Sequence, residues 1–330
     1  MASRRGKKNI GGKIAKWFIG GFLLLILLFI AIPYFFKDKI LTVVKEQANT
    51  FLNAEVNFSD VELSLLWTFP DFNFAINDIT VTGKEEFDGL KLADVKKVSL
   101  GIDLMSVLSG NYKITGFSID NPNLYVKVLK NGKANYDIVK SDSTTTVEET
   151  AVDTSTSDFA FQLALQHYAI NNANIVYDDA PMHMFVDIKN LTHTGSGDFT
   201  MTNYDLFTKT TIDAITVAYE GVKYLTKTKV SADFIANIDM AKGIAIKWRD
   251  NAFKLNDLGL ALDGSIDMPN DKDIHMDLNF AAGDTKFASV LSMIPAAYTA
   301  DFAGVELQVL LLSMVMLKGF IMSNLYLLLL

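Results

Sequence analysis

The sequence predicts a mainly β body, a strand meander with few helices, held behind one N-terminal transmembrane helix. Three observations carry this. Residues 17–36 are a twenty-residue run without a charge, apolar and polar residues alternate with period two through most of residues 54–280, and helical spacing recurs only in two short stretches. Half of the 330 residues are apolar and the mean hydropathy is +0.22, which is greasier than an ordinary soluble enzyme and fits a membrane segment.

The run WFIGGFLLLILLFIAIPYFF is long enough as a helix to cross the hydrocarbon core. Trp17 and Tyr34 stand at its ends, where interfacial aromatic residues belong, and Pro33 falls near the exit. A cleaved signal peptide is the alternative, but the run exceeds a usual signal core and no small-residue cleavage site follows. Residues 1–16 hold Arg4, Arg5, Lys7, Lys8, Lys13 and Lys16 with no acid, so they are expected to stay cytoplasmic as a basic tail while the body is exported. The formal charge of −8 therefore leaves a distinctly acidic body, which argues against nucleic acid as a partner. Absence of cysteine excludes disulfides, thiolate metal sites and a Cys nucleophile.

Beyond the anchor, Ile40, Leu41, Val44, Ala48, Phe51 and Leu52 recur at helical spacing and predict one short amphipathic helix. Strands are expected at 54–66, 72–82, 95–104, 112–120 and 123–129, punctuated by Pro70, Gly83, Gly89, Gly110, Asn121-Pro122 and Asn131-Gly132. Residues 37–140 thus form a first β module. Residues 141–158, almost wholly Ser, Thr, Asp, Glu and Val, read as a flexible loop or linker. A second module, 159–306, resumes with strands from Phe159 through 175–177, 184–188, 208–217, 229–238, 244–248, 253–262 and 274–280, then a helix at 285–293 closed by Pro295.

FSIDNPNLY at 117–125 and YAINNANIV at 168–176 echo one another at an offset of 51 residues. The echo reads either as a repeated strand, Asn turn and strand, or as chance similarity of two Asn turns.

Candidate chemistry is sparse. His183, Asp187 and His193 offer two nitrogens and a carboxylate, but the segment reads as an exposed strand end and no metal is expected. Asp178-Asp179 suits turn capping rather than acid–base work, Gly195-Ser-Gly197 lacks the context of a phosphate loop, and no serine stands in a nucleophile elbow. Neither an enzyme activity nor a cofactor is expected. The informative feature is the apolar strand inventory, in which Phe74, Ile76, Phe117, Ile119, Leu124 and Val126 occupy period-two positions able to share one sheet face. That face is either the core of a barrel or sandwich or a surface lined by lipid, and alternation alone does not separate the two.

The stretches AEVNFSDVELSLLWTFPDFNFAINDITVTG and LMSVLSGNYKITGFSIDNPNLYVKVLKNGKANYDI, with the basic-flanked anchor and FASVLSMIPAAYTADFAGV near the far end, resemble the AsmA-like envelope proteins over roughly residues 14–306. The resemblance implies an inner-membrane-anchored periplasmic protein without catalytic residues. Its body would be a curved, groove-like antiparallel sheet related to bridge-like lipid transfer proteins. Phospholipid in the groove formed by those six residues, the inner membrane and envelope protein partners are the associations it implies. The alternative is an anchored β scaffold that recruits envelope proteins through exposed edges and touches no lipid.

The tail, 307–330, breaks the pattern with ten Leu, Lys318 as its single charge and no alternation. It reads either as a second membrane helix or as a frameshifted end. One codon choice for 308–324, read in the shifted frame, gives TSTATLNGYVKGIYNE, which resembles the family's continuation.

Overall fold

The computed structural model describes residues 42, 45, 46, 49–64, 71–109, 112–140, 161–270, 273–286 and 310–322. The anchor at 17–36, with Trp17, Pro33 and Tyr34, and the loop at 141–158 lie outside the described residues. Among those described, no helix is long and apolar enough to cross a membrane.

Among the described residues, thirteen strands make one sheet. They are β1 (Ala54–Asn57), β2 (Asp60–Ser64), β3 (Asp71–Gly83), β4 (Lys91–Asp103), β5 (Tyr112–Val128), β6 (Phe161–Asp179), β7 (Met184–Ser196), β8 (Asn203–Tyr219), β9 (Val222–Asp239), β10 (Ile244–Leu255), β11 (Leu258–Met268), β12 (Asp273–Lys286) and β13 (Leu310–Met322). Their order follows the chain, with β1 and β2 both pairing β3 at one end and β13 at the other. The described helices are few: the helical positions 42, 45, 46 and 49–51, a 3-10 turn at Glu85–Phe87 and α1 (Leu104–Ser109).

Five expectations are corrected. The sheet is antiparallel except where β5 and β6 pair in parallel, so the body is not a pure meander. No turn interrupts 112–128: Asn121 takes a left-handed conformation (φ 49°) and the strand continues through Pro122. The expected strand at 253–262 is two strands, because Asn256 (φ 51°) turns the chain between β10 and β11. Finally, residues 285 and 286 belong to β12 rather than opening a helix, and Leu310–Met322 is a strand against β12, not a membrane helix.

The parallel pair explains the internal echo. Phe117 pairs with Tyr168, Ile119 with Ile170, Asn123 with Asn174 and Leu124 with Ile175, each 51 residues apart. Asn171, Asn172 and Asn174 donate their side-chain amides to Asp120 (2.6 Å), Asn121 (3.3 Å) and Asn123 (2.9 Å). The similarity is thus a polar ladder between adjacent strands, in which like side chains meet because the register aligns them. Where β4 stops short of the end of β5, buried Asn135 takes its place, accepting from the Lys127 amide (2.8 Å) and donating to the Tyr125 carbonyl (2.6 Å).

A second regularity crosses the sheet. In each strand from β3 to β9 the apolar phase slips by one residue, at Asp78, Lys96, Asn121, Asn172, Asn190, Asp213 and Lys227. All seven side chains are exposed, and five of the residues have φ near 50°: Asp78, Asn121, Asn172, Asn190 and Lys227. From β3 to β8 these positions lie near one level of the sheet, where Asp78 meets Lys96 and Asn190 donates to Asp213 (2.9 Å), while Lys227 of β9 stands beside Thr216. A left-handed residue breaks the two-residue alternation as a bulge does, so two successive side chains fall on one face. Backbone directions record the half-turn. The Asn77 carbonyl faces β2 whereas the Gly83 amide faces away from it, toward the segment leading into β4. In β6 the Gln166 carbonyl accepts from Gly197 after β7, whereas the Ala180 amide donates to Val128 of β5. Residues of like parity thus turn to opposite neighbours, and the apolar side chains stay on one face along the whole strand. Amides freed from the ladder are capped by side chains: Asn172 by Thr192, Asn190 by Asn174 and Lys227 by Thr216, each at 3.2 Å.

Candidate functional site: one apolar sheet face with a polar window

Two rows of cross-strand partners define the apolar face below the slip. One runs Phe74, Leu100, Phe117, Tyr168, Gly195, Thr208, Phe234, and the other Ile76, Val98, Ile119, Ile170, His193, Thr210, Ala232, Phe253. Above the slip the face continues as Val81, Ala93, Leu124, Ile175, Ile188 and Ile215, with Val126 beside Tyr177. The structure therefore places Phe74, Ile76, Phe117 and Ile119 together, and the slip at Asn121 turns Leu124 and Val126 to the same side.

The covering of this face separates it from an ordinary core. Among the described residues, the buried apolar set is small side chains such as Ala54, Val56, Val61, Ala75 and Ala173 with a few Leu and Ile; no Phe, Tyr or Trp belongs to it. A closed barrel or sandwich buries its large aromatic residues fully. Here they lie on a single layer, partly exposed.

Across β3 to β6 the opposite face is polar, while Phe185 in β7 and Phe207 in β8 stand exposed on it. Lys97 bridges Glu62 (2.6 Å), Lys127 bridges Asp178 (2.8 Å), and the Lys97 ammonium, with Asn77, holds the Glu62 carboxyl below its usual range. A depression of about 530 Å³ on this side opens over Ser99, Gly101, Gly116, Ser118 and Ala169. Such small side chains leave the strands thinly covered.

Two ring-over-glycine contacts pin the middle of the sheet. The His167 ring lies over Gly116 on the polar face and the Tyr168 ring over Gly195 on the apolar face, each where an added Cβ would collide. Around Tyr168 gather Phe117, stacked at 5.6 Å, Phe199 at 6.2 Å edge-on and His193 at 5.4 Å, with Tyr204 5.0 Å beyond Phe199.

His183, Asp187 and His193 do not converge. His183 sits in the β6–β7 turn at 3.9 Å from Glu220, Asp187 lies 2.8 Å from Lys189, and His193 belongs to the apolar face far along β7. Among the described residues no group of three or more His, Asp or Glu side chains gathers as a metal site. The reading of His193 as part of an exposed strand end is corrected: it is half-buried, its Nε2 3.0 Å from the Tyr168 hydroxyl and its Nδ1 2.8 Å from Thr210 Oγ1. Asp179 caps the β6–β7 turn by accepting from the Met182 amide (2.8 Å) and takes the Tyr177 hydroxyl (2.6 Å), a bond that pushes the phenol pKa up to about 12.

Burial holds the His193 imidazole below its ordinary pKa and pushes the Tyr168 phenol above its own. A depressed histidine contributes stability above its ordinary pKa of about 6.5 that is lost as pH falls through the folded value. We expect ring-proton NMR, simplified by a chain with only four His, to show His193 titrating below that ordinary value. Titration at or above it would contradict the half-buried placement of this ring between Tyr168 and Thr210.

Among the described residues, a single-layer sheet with one mainly apolar face and one mainly polar face, crossed by left-handed polar residues, defines the class: a β-sheet protein whose apolar face carries only partly buried aromatic residues. The family model for the AsmA family matches residues 8–301, and the chain belongs to that envelope-associated family. No curated protein and no solved structure matches it.

Proposed function

We propose that this chain is an inner-membrane-anchored periplasmic protein whose apolar sheet face forms a groove for phospholipid acyl chains, serving maintenance of the outer membrane. The observation that carries the reading is the state of the aromatic residues: Phe74, Phe117, Tyr168 and Phe234 share one face across β3 to β9, yet none is buried as a core residue. Exposed apolar surface on this scale marks an interaction site rather than free surface. Acyl chains fit because the face is apolar along the strands on both sides of the slip, which suits long flexible hydrocarbon. Family membership supports the envelope setting. The basic tail, the apolar run at 17–36 and the acidic body support anchorage with the N-terminus cytoplasmic. No residue is assigned a catalytic role.

The test is phospholipid per mole of purified protein. Stoichiometric phospholipid is the expected result, and a folded protein that carries none would overturn the proposal.

A further inference from the structure

Below the slip, the two apolar rows are interrupted where they cross β7 and β8. Where the two rows cross β7 and β8 they read Gly195, Thr208, His193 and Thr210, while Ile170 precedes them in β6 and Ala232 and Phe234 follow in β9. A polar window about two strands wide, roughly 10 Å, therefore stands between two apolar stretches.

Its hydrogen bonding is incomplete by construction. Tyr168, His193 and Thr210 form one chain, with 3.0 Å from the phenol oxygen to Nε2 and 2.8 Å from Nδ1 to Oγ1. A neutral imidazole has one N–H and one acceptor nitrogen. Two hydroxyls and one imidazole bring three protons to two hydrogen bonds. Whichever nitrogen is protonated, one hydroxyl proton is left over: the Thr210 proton when Nδ1 donates, the Tyr168 proton when Nε2 donates. Thr208 directs its own hydroxyl at the Phe234 carbonyl (3.5 Å), and among the described residues it accepts no bond from Tyr168 or Thr210. A donor facing hydrocarbon without an acceptor is costly, so an occupant that brings an acceptor is favoured.

The occupant is uncharged at this point and apolar to either side. The window itself holds only hydroxyls and an imidazole, while Lys209 and Asp233 alternate onto the other face beside Thr194. Ester carbonyls of a diacyl glycerolipid match: they accept, they carry no charge, and hydrocarbon extends from them. We infer that Tyr168, His193 and Thr210 form a docking point for the ester carbonyl of a phospholipid lying in the apolar face. This rests on the groove reading above.

The test separates the two. The full-length chain, held in amphipol and loaded with a fluorescent phospholipid, is titrated with a short-chain diacyl phosphatidylglycerol and with its diether analogue, which has the same headgroup and chains but no carbonyl. One neutral hydrogen bond corresponds to a diacyl preference of about three- to ten-fold. The triple variant Tyr168→Phe, His193→Leu, Thr210→Val is expected to bind both lipids and to lose the preference. Equal affinity of the wild type for the two lipids would overturn the docking point and leave the groove standing, an arm that needs no variant to fold. A preference that survives in the folded triple variant would also overturn it. If neither lipid displaces the probe and no probe binds, the groove reading fails as well.

Discussion

Replacing Ile119 with aspartate is expected to strip co-purifying phospholipid from the protein, while Ser118→Asp, one residue away, leaves it in place. Ile119 lies in the row Ile76, Val98, Ile119 and Ile170, whereas Ser118 pairs with Ser99 and Ala169 on the polar face. A carboxylate set among acyl chains without a partner costs several kcal/mol, whereas an exposed polar position tolerates change within about 0.5 kcal/mol. Both variants are expected to stay soluble and β-structured, because among the described residues the face is a single layer with no second sheet packed on it. The readout is lipid per mole alongside circular dichroism. Unfolding of Ile119→Asp together with a lipid-free wild type would identify the face as plain core.

Deleting Asn121 is expected to do far more damage than any substitution there. Removal of the one extra residue would rotate Pro122, Leu124, Val126 and Val128 toward the polar face and carry Asn123 and Tyr125 inward, while β4 and β6 kept their phases. Four misplaced apolar side chains, each worth about 1.5–3 kcal/mol when fully buried, amount to several kcal/mol even at partial burial. Asn121→Gly keeps the residue count and tolerates φ near 50°, so it loses only the bond from Asn172, about 1 kcal/mol or less. Thermal melting of the two variants checks this. A deletion as stable as Asn121→Gly would mean that the slip does not govern which face is apolar.

The strand content was legible because alternation is local: β3 lies within one residue of the segment that carries it, and the expected segments 208–217 and 229–238 fall inside the longer β8 and β9. What alternation does not encode is the partner. The 51-residue echo was visible in the sequence, yet its meaning as a parallel pair depends on a register that no local period contains. Asn121-Pro122 carries the usual chemistry of a turn, and the strand runs on through it because Asn121 absorbs the irregularity as one left-handed residue. The slip also hid His193. Counting by twos from Val186 and Ile188 puts residue 193 on the polar face; Asn190 shifts the phase and delivers the ring beside Tyr168. Doublets of polar residues at one level, Asn77-Asp78, Lys96-Lys97, Asp120-Asn121, Asn171-Asn172 and Lys189-Asn190, were the available signal.

The absence of native cysteine makes the most direct measurement clean. Single cysteines along β6 at 169, 170, 174, 175, 176 and 177 would be labelled with a water-soluble maleimide, with bound phospholipid present and after its removal. Lipid is expected to protect positions 170, 175 and 177 and leave 169, 174 and 176 reactive, with the protected parity changing from even to odd across Asn172. Protection of one parity throughout, or equal reactivity on both faces with lipid bound, would contradict a single apolar face that carries acyl chains through the slip.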